Sequence, residues 1–266
     1  MVGAKHRAEL DLRAGPDKTA RNLPGWYVSA YPGAREAAGV FRSSTRAGGG
    51  RAVDDVVDED ALAERSRQVA ASRARVAVRR FCAANRLNRL GTLTFAGDGC
   101  HDPIALRVHV GKFFVNLRAA LGGKPLPYVW VPEWHPGGHG LHVHFAVGRY
   151  IRRSVILAAW GHGHVHIKLL SNLPVGSTGL DEARAAAGYL AKYVGKSFDE
   201  ERAPGLHRYE VARNFQPKLT RVYGPTLSVA LSRAVGVMGG TFSEMSTSSE
   251  WPGWTGPRAV SVRWAS

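Results

Sequence analysis

Cysteine is almost missing from this sequence: Cys82 and Cys100 are the only two in 266 residues, too few for a disulfide framework and too isolated for a zinc-thiolate cluster. Acidic residues are also short, 21 Asp and Glu against 36 Lys and Arg, which leaves a formal net charge of +15 and argues for a polyanionic partner. No apolar run is long enough to span a bilayer, and no strongly amphipathic anchor is visible, so a membrane is not an expected partner. The opening Met1-Val-Gly-Ala-Lys-His-Arg7 leads into no apolar h-region, so no secretory signal is read and a reducing cytoplasm is the expected setting. Nucleotide-binding motifs are lacking too. Gly195-Lys196-Ser197 has the ending of a phosphate-binding loop, but that motif needs a glycine at position 190, which is Leu190, and a preceding strand. With no dinucleotide fingerprint and no helicase-like region, any strand unwinding would fall to a separate enzyme.

The 44% hydrophobic content suffices for one sizeable core, and a second full domain is not expected. Residues 1–52, rich in Gly, Ala, Arg, Ser and Pro, read as a mostly disordered basic segment, with Trp26, Tyr27 and Tyr31 as exceptions. The main domain is expected over 53–235. It begins with a helix from Asp54 to about Asn85 that is acidic at Asp54, Asp55, Asp58, Glu59 and Asp60 and basic through Arg73, Arg75, Arg79 and Arg80, a polarity that suits the helix dipole. Those arginines are candidate phosphate contacts. A strand at Leu90–Phe95 follows, then helices over about 103–121 and 152–160 around a hairpin, a strand at 164–170, and a last helix from Asp181. Thr178 and Asp181 make a weak capping box for that helix. The order β-α-β-β-α-β-α predicts an α+β fold, an antiparallel sheet with helices packed on one face in a ferredoxin-like arrangement. Arg208 and Arg213, among Tyr209, Phe215 and Tyr223, mark either a final strand or a DNA-contacting segment. The tail 236–266, with Trp251, Trp254 and Trp264, receives no assignment.

The hairpin is the first place where chemistry gathers. Tyr128–Trp134 and Leu141–Val147 flank Pro136-Gly137-Gly138, and on the second strand His142 and His144 alternate with Leu141, Val143 and Phe145, so both imidazoles leave the face opposite the apolar one. A two-residue turn at Gly137-Gly138 sets Glu133 directly across from His142, with His144 diagonal to it. Two imidazoles and a carboxylate suit a divalent ion. If Pro136 widens the loop, His135 or His139 enters in place of Glu133. A rival group, His162, His164 and His166, alternates in the same way but has no acid nearby in sequence, and a solvent- or DNA-facing strand is its ordinary explanation.

The last helix carries Tyr189-Leu-Ala-Lys192-Tyr193-Val-Gly-Lys196. At about 100° per residue, Tyr189, Tyr193, Lys192 and Lys196 share one arc, and Ala183, Ala187, Leu190, Ala191 and Val194 take the other. Two phenols beside two ammonium groups on one face suit phosphate chemistry.

The order of these motifs resembles the HUH endonucleases, a family of rolling-circle replication initiators, relaxases and single-stranded-DNA transposases. The Thr-Leu-Thr-Phe strand at Thr92–Phe95, the His-hydrophobe-His of His142-Val143-His144 and the tyrosine helix come in the family's order. The form Tyr-x-Ala-Lys-Tyr-Val-x-Lys is most similar to replication initiators of actinobacterial plasmids and small single-stranded-DNA phages, and the resemblance spans roughly residues 75–235. It implies that His142, His144 and Glu133 hold Mg²⁺ or Mn²⁺, that Tyr189 and Tyr193 attack the scissile phosphate with help from Lys192 and Lys196, and that a 5′-phosphotyrosine link and a free 3′-hydroxyl result. It further implies a single-stranded origin or origin hairpin as substrate, and a host helicase and DNA polymerase as partners. The chain departs from the family at Pro136–Gly140, just before the histidine pair. A relaxase or transposase using the same chemistry, and an idle DNA-binding protein with a structural zinc, are the competing readings.

Overall fold

The computed structural model describes residues 23–43, 59–169, 173–199 and 207–265. Asp54, Asp55 and Asp58, Leu170, and residues 1–22 and 44–52 of the segment expected to be disordered lie outside them. The chain divides into two units, one of residues 53–217 and one that joins residues 1–52 to 218–265. The fold is α+β, with two antiparallel five-stranded sheets and five α-helices among the described residues.

In the larger unit, α1 (Glu59–Asn85), β3 (Arg89–Phe95), α2 (Pro103–Ala120), β4 (Tyr128–Trp134), β5 (Leu141–Val147), α3 (Arg153–Trp160), β6 (Gly163–Leu169), α4 (Gly179–Asp199) and β7 (Glu210–Val211) follow in order. The sheet runs β6-β3-β5-β4-β7. The alternation read from sequence sends Leu93, Phe95, Trp130, Val143, Phe145 and Val165 to one face, where α2 and α3 bury them with Leu106, Val110, Phe113, Leu117, Ile156 and Trp160. α2 starts sharply because Pro103 occupies its first turn and the Asp102 carboxylate accepts from Ile104 N–H at 2.8 Å. Gly91 leaves room for a ring: a Cβ there would lie 2.2 Å from the Phe145 ring atoms.

The face that bears the histidines was expected to be open, and it is not. Leu90, Val129, Val131 and Ala146 lie on that face as well, and such an apolar patch needs cover, which α1 supplies through Val78, Phe81 and Cys82 and α4 through Ala186, Ala187, Leu190 and Val194. The apolar arc of α4 is therefore buried as its periodicity predicts. Central strand β5 is buried along its whole length, and His142 and His144 keep only 8% and 7% of their surface exposed.

The smaller unit corrects the expected layout. Residues 25–42 form a hairpin, β1 (Gly25–Tyr31) and β2 (Glu36–Arg42), and the unassigned tail supplies β9 (Phe242–Thr247) and β10 (Ala259–Trp264). With β8 (Thr220–Gly224) they build a sheet of order β8-β1-β2-β10-β9, on which α5 (Leu227–Met238) packs over Trp26, Val28, Ala30, Val260, Val262 and Trp264. The expected single domain over 53–235 is thus cut near residue 217, and residues 25–42 are ordered strands. Small residues on both partners, Ala30 and Ala37 in the strands and Ala230 and Ala234 in α5, let helix and sheet approach closely, and the small residues of the strands are what mimic a disordered segment in sequence.

Candidate metal and tyrosine site

Hairpin register comes first, because it decides which side chains meet. β4 and β5 pair with Glu133 opposite His142 and Val131 opposite His144. The turn is wider than two residues: Gly138 N–H donates to the His135 carbonyl at 2.9 Å, and His135 N–H donates to the Gly140 carbonyl at 2.8 Å. The loop stays symmetric about Gly137-Gly138, so the register matches that of the tighter turn. Gly140 has φ 75°, and a Cβ there would lie 2.4 Å from the Cys100 carbonyl oxygen, which explains a glycine immediately before the strand.

Glu133 Oε2 lies 2.9 Å from His142 Nε2 and 2.7 Å from His144 Nε2, and the two imidazole nitrogens are 3.1 Å apart. Three donors from three side chains thus converge on one point, the only such His/Cys/Asp/Glu group among the described residues. Ligands about 2.1 Å from a common ion and 90–109° apart would be about 3.0–3.4 Å from one another, so the cluster fits a divalent cation after a shift of a few tenths of an ångström. Three protein ligands leave further coordination positions for water or a phosphate oxygen. Neither His135 nor His139 enters. The His135 Nδ1 accepts from Gly137 N–H at 3.1 Å, and His139 Nε2 lies 3.2 Å from the Phe95 carbonyl oxygen.

The second layer of contacts orients these donors. Thr92, opposite His144 on β3, places its hydroxyl 3.2 Å from His144 Nδ1. Binding of an ion would take the His144 proton from Nε2, where it donates to Glu133, to Nδ1, where it donates to Thr92 Oγ1, so that the Nε2 lone pair points into the cluster. Lys196 Nζ reaches the other carboxylate oxygen, Glu133 Oε1, at 3.2 Å and so turns Oε2 toward the imidazoles. Burial lowers the His144 pKa, and although its hydrogen bond to Glu133 works the other way, the net result is an imidazole held neutral below the usual histidine range. Burial alone would raise the Glu133 carboxyl, but hydrogen bonds from His144, His142 and Lys196 outweigh it and keep the group below its ordinary value. A neutral imidazole and an ionised carboxylate are the forms a cation binds. Thr92→Val removes the orienting hydroxyl without opening a cavity, and we expect it to weaken Mn²⁺ binding about tenfold in calorimetric titration with little change in melting temperature.

α4 brings the phenols to this cluster. The Tyr193 ring stacks on the His144 imidazole, centroids 3.7 Å apart and planes 19° apart, and its hydroxyl donates to Tyr189 Oη at 2.7 Å. Burial and then the Tyr189 neighbour, with a contribution from Glu133, raise the Tyr193 phenol well above its ordinary value. Lys168 sits 5.6 Å from the Tyr189 ring centre and Lys196 5.6 Å from that of Tyr193. Of the residues singled out in the sequence, Glu133, His142, His144, Tyr189, Tyr193 and Lys196 come together, while Lys192 is exposed on the same helix. Arg73, Arg75 and Arg79 are exposed on α1, with the Arg75 guanidinium beside Gly195 of α4, and Arg80 is half-buried. Arg208 stacks on Phe198 at 4.3 Å, and Arg213 is exposed near Tyr128. The rival histidines divide: His162 bonds His109 at 3.0 Å, whereas His164 and His166 are exposed on β6, opposite Thr94 and Thr92. Thr92 and Lys168 are the contributors that sequence reasoning missed. Thr92 depends on the pairing of β3 with β5 and Lys168 on that of β3 with β6, although the Thr-Leu-Thr-Phe string was itself visible.

No helix among the described residues is long and apolar enough to cross a membrane. Neither the curated proteins nor the solved structures contain a match to the chain. Residues 88–198 do match the replication-associated protein ORF2 family, so the segment from the start of β3 to the end of the tyrosine helix, which carries the whole cluster, is similar to a replication-initiator family and supports a role in DNA replication.

Proposed function

We propose that this protein nicks and rejoins one DNA strand at a replication origin through a 5′-phosphotyrosine link and thereby starts rolling-circle replication. The observation that carries this reading is the stacking of Tyr193 on His144, which sets a phenol, hydrogen-bonded to a second phenol, against a Glu-His-His cluster. A divalent ion, Mg²⁺ or Mn²⁺, held by Glu133, His142 and His144 would polarise the scissile phosphate. The chain's own groups do the rest. One phenol oxygen forms a bond to phosphorus as the bond to the 3′ oxygen breaks, the phenolic proton is released, and the departing oxygen becomes a 3′-hydroxyl. The number of phosphoester bonds is unchanged, so no nucleotide is consumed. Lys196 and Lys168 lie where they offset charge on the phosphate, and Arg73, Arg75, Arg79, Arg80, Arg208 and Arg213 hold the single strand or origin hairpin by its backbone. The second phenol permits a second transfer, which releases a circle. A host helicase then opens the duplex and a host polymerase extends the 3′ end.

A structural zinc site would close four ligands around the ion, and a three-donor cluster beside two phenols favours chemistry instead. The test is incubation with Mn²⁺ and end-labelled single-stranded oligonucleotides tiled across the DNA flanking the protein's own coding sequence. We expect a denaturation-resistant protein-DNA adduct on one strand only, at one position. Binding without any adduct on every oligonucleotide would leave a DNA-binding protein and end the nickase reading.

A further inference from the structure

α2 presents a solvent face that nothing in its own unit explains. Ile104, Val108 and Val115 are 63%, 50% and 55% exposed, and with Gly111 they follow a 4-3-4 spacing. At about 100° per residue these four positions fall within roughly 60° of one another, and this is the spacing of a helix-helix seam. The opposite face of α2 is already committed through Leu106, Val110, Phe113, Phe114 and Leu117.

Gly111 is the sharper signal. Glycine is, proline apart, the poorest helix former, yet it stands mid-helix here, exposed, and a Cβ added to it would meet nothing within 4 Å. No close approach inside the chain requires it among the described residues. A glycine at the centre of an apolar stripe lets another helix backbone come near, and that is a use it has only when something docks.

Charge selects the occupant. Pro103–Ala120 contains Arg107, Lys112 and Arg118 and no acidic residue. Arg118 and Arg107 border the stripe on one side and Lys112 on the other. Arg107 is paired with Glu210 at 2.7 Å, while Lys112 and Arg118 have no ion-pair partner among the described residues. A second copy of the chain laid along this face would set basic flank against basic flank. We propose that the exposed face of α2 is a docking site for an acidic amphipathic helix of a partner protein, one with aliphatic residues at 4-3-4 spacing bordered by Asp or Glu. The partner's seam covers Ile104, Val108 and Val115, its backbone approaches at Gly111, and its acids meet Lys112 and Arg118.

The test uses the full chain and two fluorescent helical peptides of about 21 residues, identical leucine seams at 4-3-4 spacing, one flanked by Glu and the other by Lys. By fluorescence anisotropy the Glu peptide should bind saturably and at least about tenfold more tightly than the Lys peptide. Gly111→Gln should cost the Glu peptide at least about tenfold in affinity without lowering the melting temperature, because the new side chain points into open space. Val108→Ser with Val115→Ser should do the same by removing the seam. Equal binding of the two peptides, absence of saturable binding, or full affinity in Gly111→Gln would each overturn the proposal. Sedimentation that shows a dimer of the chain, lost in Gly111→Gln, would make a second copy the occupant and overturn it too.

Discussion

Replacing His142 and His144 together by alanine is expected to abolish divalent-ion binding and to lower metal-dependent DNA cleavage by more than about 10³-fold. A bound cation is worth several kcal/mol of charge stabilisation at a phosphoryl centre, and each ~1.4 kcal/mol is a factor of ten in rate. Removing both imidazoles leaves Glu133 with only Lys196 as a partner, so no ion can be held by the remaining donors. DNA affinity should change little, because the arginines proposed to contact the DNA backbone lie on other elements. Titration calorimetry with Mn²⁺, cleavage of the labelled strand and a filter-binding curve together separate these effects. A thermal melt keeps the comparison sound, since both histidines are buried and their truncation leaves space on β5. The sign of the pH response follows from the same residues. Burial holds His144 neutral below the usual histidine range, and Glu133 stays ionised below the usual carboxylate range, so ion binding should persist to mildly acidic pH and fail as protons compete for His144 and then Glu133. Ala at His164 and His166 is the control. If that pair and not His142 and His144 abolished cleavage, the cluster would have been placed on the wrong strand.

How much of this was legible in the sequence depends on the range of the interactions involved. The hairpin register was legible because a turn rich in glycine fixes its own centre, and everything across from it follows by counting, including Glu133 opposite His142. The two faces of α4 were legible because helical periodicity is local. The helices over the histidine face were not, since the need for cover arises only when Leu90, Val129, Val131 and Ala146 from three strands gather into one patch. The smaller unit was hidden for the same reason in a stronger form. β1 pairs with β8, and β2 with β10, across about two hundred residues of intervening chain, and no local pattern reports such pairings. Its small inward residues are there because α5 packs close to the sheet, and composition alone cannot tell that role from disorder.

Changing Tyr189 and Tyr193 together to phenylalanine is expected to eliminate the covalent adduct while sparing the ion site. A free phenol has a pKa of about 10, so a tyrosine attacks at neutral pH only where its surroundings favour loss of the proton. Tyr193 lies against His144 and close to Lys196, and Tyr189 accepts the Tyr193 proton in a hydrogen bond with Lys168 nearby. Burial and the hydrogen bond to Tyr189 hold the Tyr193 proton on, with a smaller contribution from the Glu133 charge that a bound cation would offset. Phenylalanine at 193 keeps the ring that stacks on His144, and at 189 it keeps the edge-on contact between the two rings. The structural loss is one hydrogen bond, about 0.5–1.5 kcal/mol, too small to unfold the unit. Mn²⁺ affinity should therefore stay within about threefold of the parent, a difference of under ~1 kcal/mol, while adduct on a denaturing gel disappears. Each single variant retains one phenol, so it should still form adduct on a cleaved strand but fail to complete the second transfer, giving linear products without released circles. Adduct persisting in the double variant would assign the attack to a group outside α4. In that case the stacked rings would serve only to shield the cluster from water.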